Sequence, residues 1–191
     1  MELSKSETLI NLAKSFAGEA QAGLRYQFSA ELALNQGYKI LSDEIKALAK
    51  NEVNHAKVFF QAITDGAGEL DNIEFTAGYP FKGTTLENGL KFAIEAERDE
   101  AHIYEKYAEI AINEGFDEIA KKFKMIAAVE RRHADIFNSL YEDFTSGNLY
   151  DAKEPKMWIC SECGHIETAV TAWSVCPLCS STQGFVELKL Q

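Results

Sequence analysis

Apolar residues recur every three or four positions through four long stretches, about Ser4–Gln36, Tyr38–Thr64, Thr84–Glu114 and Phe116–Thr145. That spacing predicts amphipathic helices. Gly37 and Gly115 interrupt the pattern after Asn35-Gln36 and Asn113-Glu114, as glycines that close helices do. Breaks this short make helices one and two antiparallel neighbours, and likewise three and four. The connection Asp65–Gly83 is rich in glycine and can run the length of a bundle, leaving helices two and three parallel. A polar stretch with Pro155 then leads into Met157–Gln191, whose composition suits strands and turns. The predicted fold class is mainly α: a four-helix bundle with a long crossover, then a small β/turn metal domain. The expected division is 1–146 for the bundle, 147–156 for a linker and 157–191 for the small domain.

The bundle contains an internal repeat. An offset of 78 positions maps Glu19 to Glu97, Tyr26 to Tyr104, Asn35 to Asn113 and Gly37 to Gly115. The same offset maps Glu52 to Glu130, His55 to His133, Ala56 to Ala134 and Phe59 to Phe137. The shared Gly and Asn set hairpin turns, and the shared Ala and Phe pack. The shared Glu and His have no packing role.

On a helix, positions three, four and seven apart share a face. Around Glu52 those positions hold Ala49, Leu48, Ala56, Ile45 and Phe59; around Glu130 they hold Ala127, Ile126, Ala134, Phe123 and Phe137. Glu97 and Glu19 lie on equally apolar stripes. A helical Glu is ordinarily a solvated surface charge, but these four face the core. Converging buried carboxylates repel unless they are protonated or bind cations. No Lys or Arg lies on these stripes, so metal ions are the simplest counter-charge. Glu52-Val-Asn-His55 and Glu130-Arg-Arg-His133 put each Glu and His one turn apart on one face. Two such pairs plus an inward Glu from each remaining helix is the known pattern of di-iron and di-manganese bundles. Glu100 lies one turn beyond Glu97, and its repeat counterpart is Ala22. As a ligand it brings the set to five Glu and two His, nearly balancing two divalent ions; mixed oxygen and imidazole donors suit Fe or Mn. Tyr26 and Tyr104 lie two turns from Glu19 and Glu97, where each hydroxyl reaches a ligand carboxylate. His102 and His165 fall outside the pattern and are expected on the surface.

Four cysteines form two Cys-x-x-Cys pairs, Cys160/Cys163 and Cys176/Cys179, with twelve residues between them. In a reducing compartment this reads as one tetrahedral four-thiolate metal site, not as disulfides. A segment of this size cannot build an adequate core alone, so the metal must hold it together. Spacing fits iron or zinc. The aromatic residues Trp158, Trp173 and Phe185 and the attached bundle favour iron. The 191 residues are 46% apolar with a formal net charge of −11, so nucleic acid and anionic membranes are poor partners. No apolar run approaches the roughly 20 residues of a membrane span, and Met1–Leu9 has no signal-peptide core. A soluble cytoplasmic protein is expected.

Over essentially its full length the chain resembles the rubrerythrin family. The resemblance rests on Glu19, Glu52-x-x-His55, Glu97-x-x-Glu100, Glu130-x-x-His133, Cys160-x-x-Cys163-Gly and Cys176-Pro-x-Cys179, in that order. It implies a ferritin-like bundle holding two Fe, a rubredoxin-like domain holding one Fe, and a peroxidase reducing hydrogen peroxide to water. Glu52 and Glu130 would bridge the bundle irons. Glu97 and His133 would bind one and Glu19 the other, while Glu100 and His55 would exchange on that second iron with oxidation and reduction. Electrons would enter through Cys160, Cys163, Cys176 and Cys179, from a separate NAD(P)H-dependent reductase or a rubredoxin, in a head-to-tail homodimer. Two other readings stand beside it. One is ferrous-iron oxidation for storage, which gives no use to the cysteine tail. The other is a zinc-ribbon adaptor on a metal-stabilised bundle.

Overall fold

The computed structural model describes residues 2–188; residues 1 and 189–191, the outer ends of the two expected domains, lie outside them. Four helices dominate: α1 (Glu7–Asn35), α2 (Lys39–Ala67), α3 (Leu86–Glu114) and α4 (Asp117–Ser146). Their starts and stops follow local chemistry. Ser6 accepts the Leu9 N–H at 3.1 Å and so begins α1 after a short 3-10 turn, Leu3–Lys5. The periodicity had run that turn into the helix. Thr85 caps α3 by accepting the Asn88 N–H at 3.2 Å. Gly115 and Gly147, both left-handed, close α3 and α4. Helix α2 continues past Thr64 to Ala67, because Gly68 at φ +77° ends it rather than Gly66.

Helix directions follow from cross-contacts. The Glu114 carboxylate, at the end of α3, accepts the N–H of Glu7 at 2.9 Å and of Thr8 at 2.8 Å, at the start of α1. It caps free N–H groups and meets the positive end of the α1 dipole. α1 and α3 are therefore antiparallel. With α1 and α2 also antiparallel, α2 and α3 run parallel, as the long connection requires. That crossover is extended and pinned to α1 at two points: Tyr79 donates to the Lys14 carbonyl at 3.1 Å, and Gln21 donates to the Pro80 carbonyl at 2.9 Å.

Two apolar clusters fill the bundle. One, at the Gly37 end, contains Tyr26, Leu41, Ile45, Leu90, Phe137 and Leu140. The other, at the opposite end, contains Leu12, Phe59, Tyr104, Phe123 and Ile126. The inward carboxylates lie between them.

The small domain is built on a hairpin, β1 (Asp151–Ile159) antiparallel to β2 (Ile166–Thr171). Asp151–Lys156, expected as linker, is strand: Asp151 pairs with Thr171 and Lys156 with Ala169. The register is irregular between those pairs, where Pro155 has no N–H to give. Leu149 and Tyr150 before it are buried. Trp158, 2% exposed, joins the bundle cluster and donates its indole N–H to the Ala169 carbonyl at 3.0 Å. The domain thus sits on the Gly37 end of the bundle.

The tightest point of that docking is Gly184. A Cβ there would fall 1.8 Å from the Gly37 carbonyl oxygen, which is backbone and cannot swing aside. Gly184→Ala should cost about 1–3 kcal/mol through overpacking and loosen the small domain while leaving the helices intact. Thermal unfolding with limited proteolysis around 147–156 checks this; wild-type behaviour in both would mean the contact does not hold the domains together.

Candidate metal centres

Each helix delivers its carboxylate to one level of the bundle. Glu19, Glu52, Glu97 and Glu130 are all 0% exposed, and His133 is 2% exposed. Both imidazoles turn Nδ1 inward. His55 Nδ1 lies 2.8 Å from Glu130, 3.4 Å from Glu52 and 3.7 Å from Glu19. His133 Nδ1 lies 2.9 Å from Glu52, 2.9 Å from Glu130 and 3.7 Å from Glu97. Tyr104 donates to Glu19 at 2.6 Å, and Tyr26 donates to Glu97. The donor atoms form two groups, Glu19/Glu52/His55/Glu130 and Glu52/Glu97/Glu130/His133, each with its ligand atoms within 4.8 Å of one another. Glu52 and Glu130 belong to both groups.

Despite these short separations, both Nδ1 atoms, both oxygens of Glu52 and Glu130, and Oε2 of Glu19 and Glu97 make no hydrogen bond. So many buried orphans would be costly in a finished polar network. The spacing is that of ligands around an ion: metal bonds of roughly 2.1 Å put neighbouring donors about 3 Å apart. Two cations, each facing carboxylates and one imidazole, satisfy the atoms that the protein leaves bare.

Ionisation is divided unevenly among these groups. Burial raises Glu19 well above the usual carboxylate range, against the pull of His55 and with Glu100 and Glu130 adding repulsion. Burial raises Glu97 likewise, opposed by His133. Burial works against the Glu52 carboxylate too, but His133 and His55 outweigh it and bring it down to about 2. Burial also disfavours the imidazolium forms, yet the surrounding carboxylates, Glu130 foremost, push His55 and His133 up to about 12. Tyr26 and Tyr104 are raised well above the ordinary phenol value by burial and by neighbouring carboxylates, so both stay donors.

Glu100 stands apart. It belongs to neither donor group, is half-buried, and has one oxygen without a partner. Burial, then Glu52 and Glu130, raise it to about 8, while Arg25 and His55 pull the other way. It lines a cavity of about 530 Å³ between α1, α3 and the crossover, together with Gly18, Arg25, Tyr79 and Tyr104. A Cβ on Gly18 would sit 3.8 Å from Tyr79 and 4.0 Å from Glu100. Neither Arg25 nor the two crossover pins was legible in the sequence. Arg25 does not lie on the apolar stripe, and the pins are contacts between distant segments. A further residue, Asn51, places its amide 3.3 Å from His133 Nε2.

In the small domain Cys160 and Cys176 are buried, and Cys163 and Cys179 lie outside. The sulfurs approach to 3.8 Å (Cys160–Cys179) and 3.7 Å (Cys163–Cys176). A tetrahedron of metal–sulfur bonds near 2.3 Å has sulfur edges of about 3.8 Å. The two knuckles are alike: Gly164 N–H donates to the Cys160 carbonyl at 2.8 Å and Ser180 N–H to the Cys176 carbonyl at 2.9 Å. Gly164 and Ser180 both turn at positive φ. Burial resists a Cys160 thiolate, but the Ser181 hydroxyl and the N–H groups of Cys163 and Glu162 bring its thiol down to about 6. The His165 N–H favours a Cys163 thiolate, yet the three other sulfurs push that thiol up to about 12. Four thiolates cannot coexist here without a cation. His102 is exposed as expected. His165 is half-buried instead, its ring 5.0 Å from that of Trp173; the turn after Cys163 folds it back onto the domain.

A ferritin-like bundle with a carboxylate and histidine cage for two ions, joined to a four-thiolate site, defines a two-centre iron protein. The rubrerythrin family model matches residues 11–85 and 88–159, and the chain belongs to that family. It is 37% identical over 189 residues to the rubrerythrin of Clostridium perfringens, covering 97% of this chain and 96% of that one. It is 35% identical to rubrerythrin-1 of Clostridium acetobutylicum, over 97% of this chain and 96% of that one. Among solved structures, mixed-valence nigerythrin superposes with a TM-score of 0.63 at 21% identity, covering 97% of this chain and 90% of that one. Mycobacterium tuberculosis bacterioferritin gives 0.64 at 20% identity, but covers only 73% of this chain and 87% of its own. At these identities the two structures speak for the fold alone. The cage fits two irons and the cysteine site fits one.

Stripping the metals should make stability strongly pH-dependent. Glu100 is raised from its ordinary 4.5 to about 8, so it costs stability progressively as pH rises across that window. His55 and His133, raised to about 12, contribute fully only below about 6.5 and lose that contribution as pH climbs. Glu52, lowered to about 2, contributes above about 4.5 and loses that contribution in stronger acid. Metal-free protein should therefore be most stable near pH 5 and melt several degrees lower at pH 8. Metal-loaded protein should not lose stability between those values. Thermal unfolding with and without chelator at both pH values checks this, and equal midpoints at pH 8 would refute the buried cage.

Proposed function

We propose that this protein is a peroxidase reducing hydrogen peroxide to water in oxidative-stress defence, with electrons entering through the four-cysteine site. The observation that carries this reading is the presence in one chain of a cage for two redox ions and a thiolate site suited to passing electrons singly. Storage needs no such supply. When bound, two ferrous ions in the cage supply one electron each to the O–O bond. The overall change is hydrogen peroxide, two electrons and two protons giving two waters.

The chain's own groups divide the work as follows. Glu52 and Glu130, common to both donor groups, would each serve both ions. Glu97 and His133 would hold one ion and Glu19 the other, with His55 and Glu100 as alternative ligands to that second ion. Tyr26 and Tyr104 hold Glu97 and Glu19 through their hydroxyls. The cavity under the crossover admits a molecule as small as peroxide to Glu100.

The bundle 1–146 and the small domain 157–191 act as separate redox units, re-reduced by a rubredoxin or by a reductase drawing on NAD(P)H. The small domain sits at the Gly37 end of its own bundle. Glu52 lies thirteen residues along α2 from Lys39, about 20 Å at 1.5 Å per residue. A separation of that size favours a head-to-tail homodimer in which one subunit's cysteine site serves the other's bundle. Phe16 on α1 and Val53 and Phe60 on α2 are 39–53% exposed, an apolar face consistent with a partner. The paired thiols suit a reducing cytoplasm, and no helix is long and apolar enough to cross a membrane.

Stopped-flow reoxidation of the reduced protein should be faster with peroxide than with dioxygen; the reverse order would favour iron storage. Glu100→Ala should keep its iron and lose at least tenfold in peroxide rate, whereas an unchanged rate would make Glu100 a bystander. Cys160→Ser should abolish turnover driven by NAD(P)H and a reductase. It should spare a single turnover of chemically reduced protein, because the two centres share no ligand.

A further inference from the structure

Two of the three histidine–carboxylate approaches in each half of the cage follow the two-fold of the internal repeat, while the third differs, 3.4 Å between His55 and Glu52 against 2.9 Å between His133 and Glu130. The 2.8 Å approach of His55 to Glu130 is mirrored by 2.9 Å between His133 and Glu52. The 3.7 Å approach of His55 to Glu19 is mirrored by 3.7 Å between His133 and Glu97. The tyrosine bonds are mirrored too. One contact has no mirror image. The Asn51 amide lies 3.3 Å from His133 Nε2, the ring nitrogen that faces away from the carboxylates. The repeat offset makes Val129 the counterpart of Asn51 and His55 the counterpart of His133. Valine has no hydrogen-bonding group in its side chain to offer His55.

The chemistry of a bound imidazole gives this asymmetry a consequence. An Nδ1 committed to a metal carries no proton, so Nε2 does, and it needs an acceptor. A half-turn of the Asn51 amide presents its oxygen at the place the amide already occupies. Such an outer partner locks the ring's tautomer and orientation, and losing one typically weakens metal binding about 10–100-fold. His55 also has the looser berth: its side chain is 12% exposed against 2% for His133. The other break in the repeat, Glu100 against Ala22, supplies a carboxylate near this same half of the cage.

We infer that Asn51 is the positioning residue that makes His133 a fixed ligand, and that Val129 at the equivalent place leaves His55 free to leave the metal. The inference rests on the two-metal reading of the cage and deepens it: the residue behind each ring decides which histidine is exchangeable. Asn51 lies on the exposed side of α2, so replacing it leaves the core untouched.

The test uses the full chain loaded with zinc(II), which is diamagnetic and needs no turnover. It measures chelator competition for the bundle ions and long-range proton–nitrogen correlations of the two rings. Asn51→Leu should lower the affinity for one bundle ion about 10–100-fold and broaden or shift the His133 Nε2–H signal, leaving His55 unchanged. Asn51→Asp, which still accepts that proton, should keep the wild-type affinity and signal. Val129→Asn should tighten the other ion and sharpen the His55 signal. Asn51→Leu with wild-type affinity and an unchanged His133 signal would overturn the inference. Wild-type protein that failed to take up two zinc ions in the bundle would instead overturn the two-metal reading.

Discussion

Repulsion among buried carboxylates is the constraint on which the rest of the bundle depends. Glu19, Glu52, Glu97 and Glu130 are all fully removed from water, at an effective cost of several kcal/mol per ion if charged alone. The protein's own groups relieve this only in part. The imidazoles stabilise Glu52 and Glu130 as carboxylates, while Glu19 and Glu97 are driven towards protonation. Folding therefore assembles a cage whose electrostatics are incomplete, and metal binding completes them. The apolar clusters on either side, from Leu41 and Phe137 to Leu12 and Phe123, keep water from doing so instead.

The same logic governs the small domain at a different scale. Among the described residues it has two strands and one buried Trp, too little core to stand without help. Four sulfurs at tetrahedral spacing tie its two knuckles together once an ion joins them. Docking on the bundle adds a second support, through Trp158, Val186 and the close approach of Gly184 to Gly37.

Much of this was legible in the sequence because it is written in periodicity. The apolar stripes located Glu19, Glu52, Glu97 and Glu130, the repeat offset paired them two by two, and the Glu-x-x-His spacing added His55 and His133. The cysteine spacing was as direct. Contacts that join remote segments without a repeating pattern were not legible. Tyr79 and Gln21 pin the crossover through backbone carbonyls, which any sequence supplies. Asp151–Lys156 looked like a linker because its residues are polar and include Pro155, yet an edge strand tolerates both. His165 looked like a surface residue because nothing local shows that the chain turns it onto Trp173.

The repeat also explains why asymmetry in this molecule must reside in single side chains. Two helix hairpins related by a common offset place equivalent ligands at equivalent distances, so the backbone alone would make two equivalent metal positions. A site that bound both ions identically would have no reason to exchange a ligand at one and hold it at the other. Two substitutions within the repeat supply the difference. Glu100 where the other half has Ala22 adds a spare carboxylate beside the cavity. Asn51 where the other half has Val129 adds a hydrogen-bonding partner behind one histidine only. On the proposed reading the first would give one ion an alternative ligand, and the second would keep the other ion's ligand in place. Neither change alters the helices, since Glu100 faces a cavity and Asn51 faces outward. A duplicated bundle can thus acquire a reactive position and a static one without any change of fold.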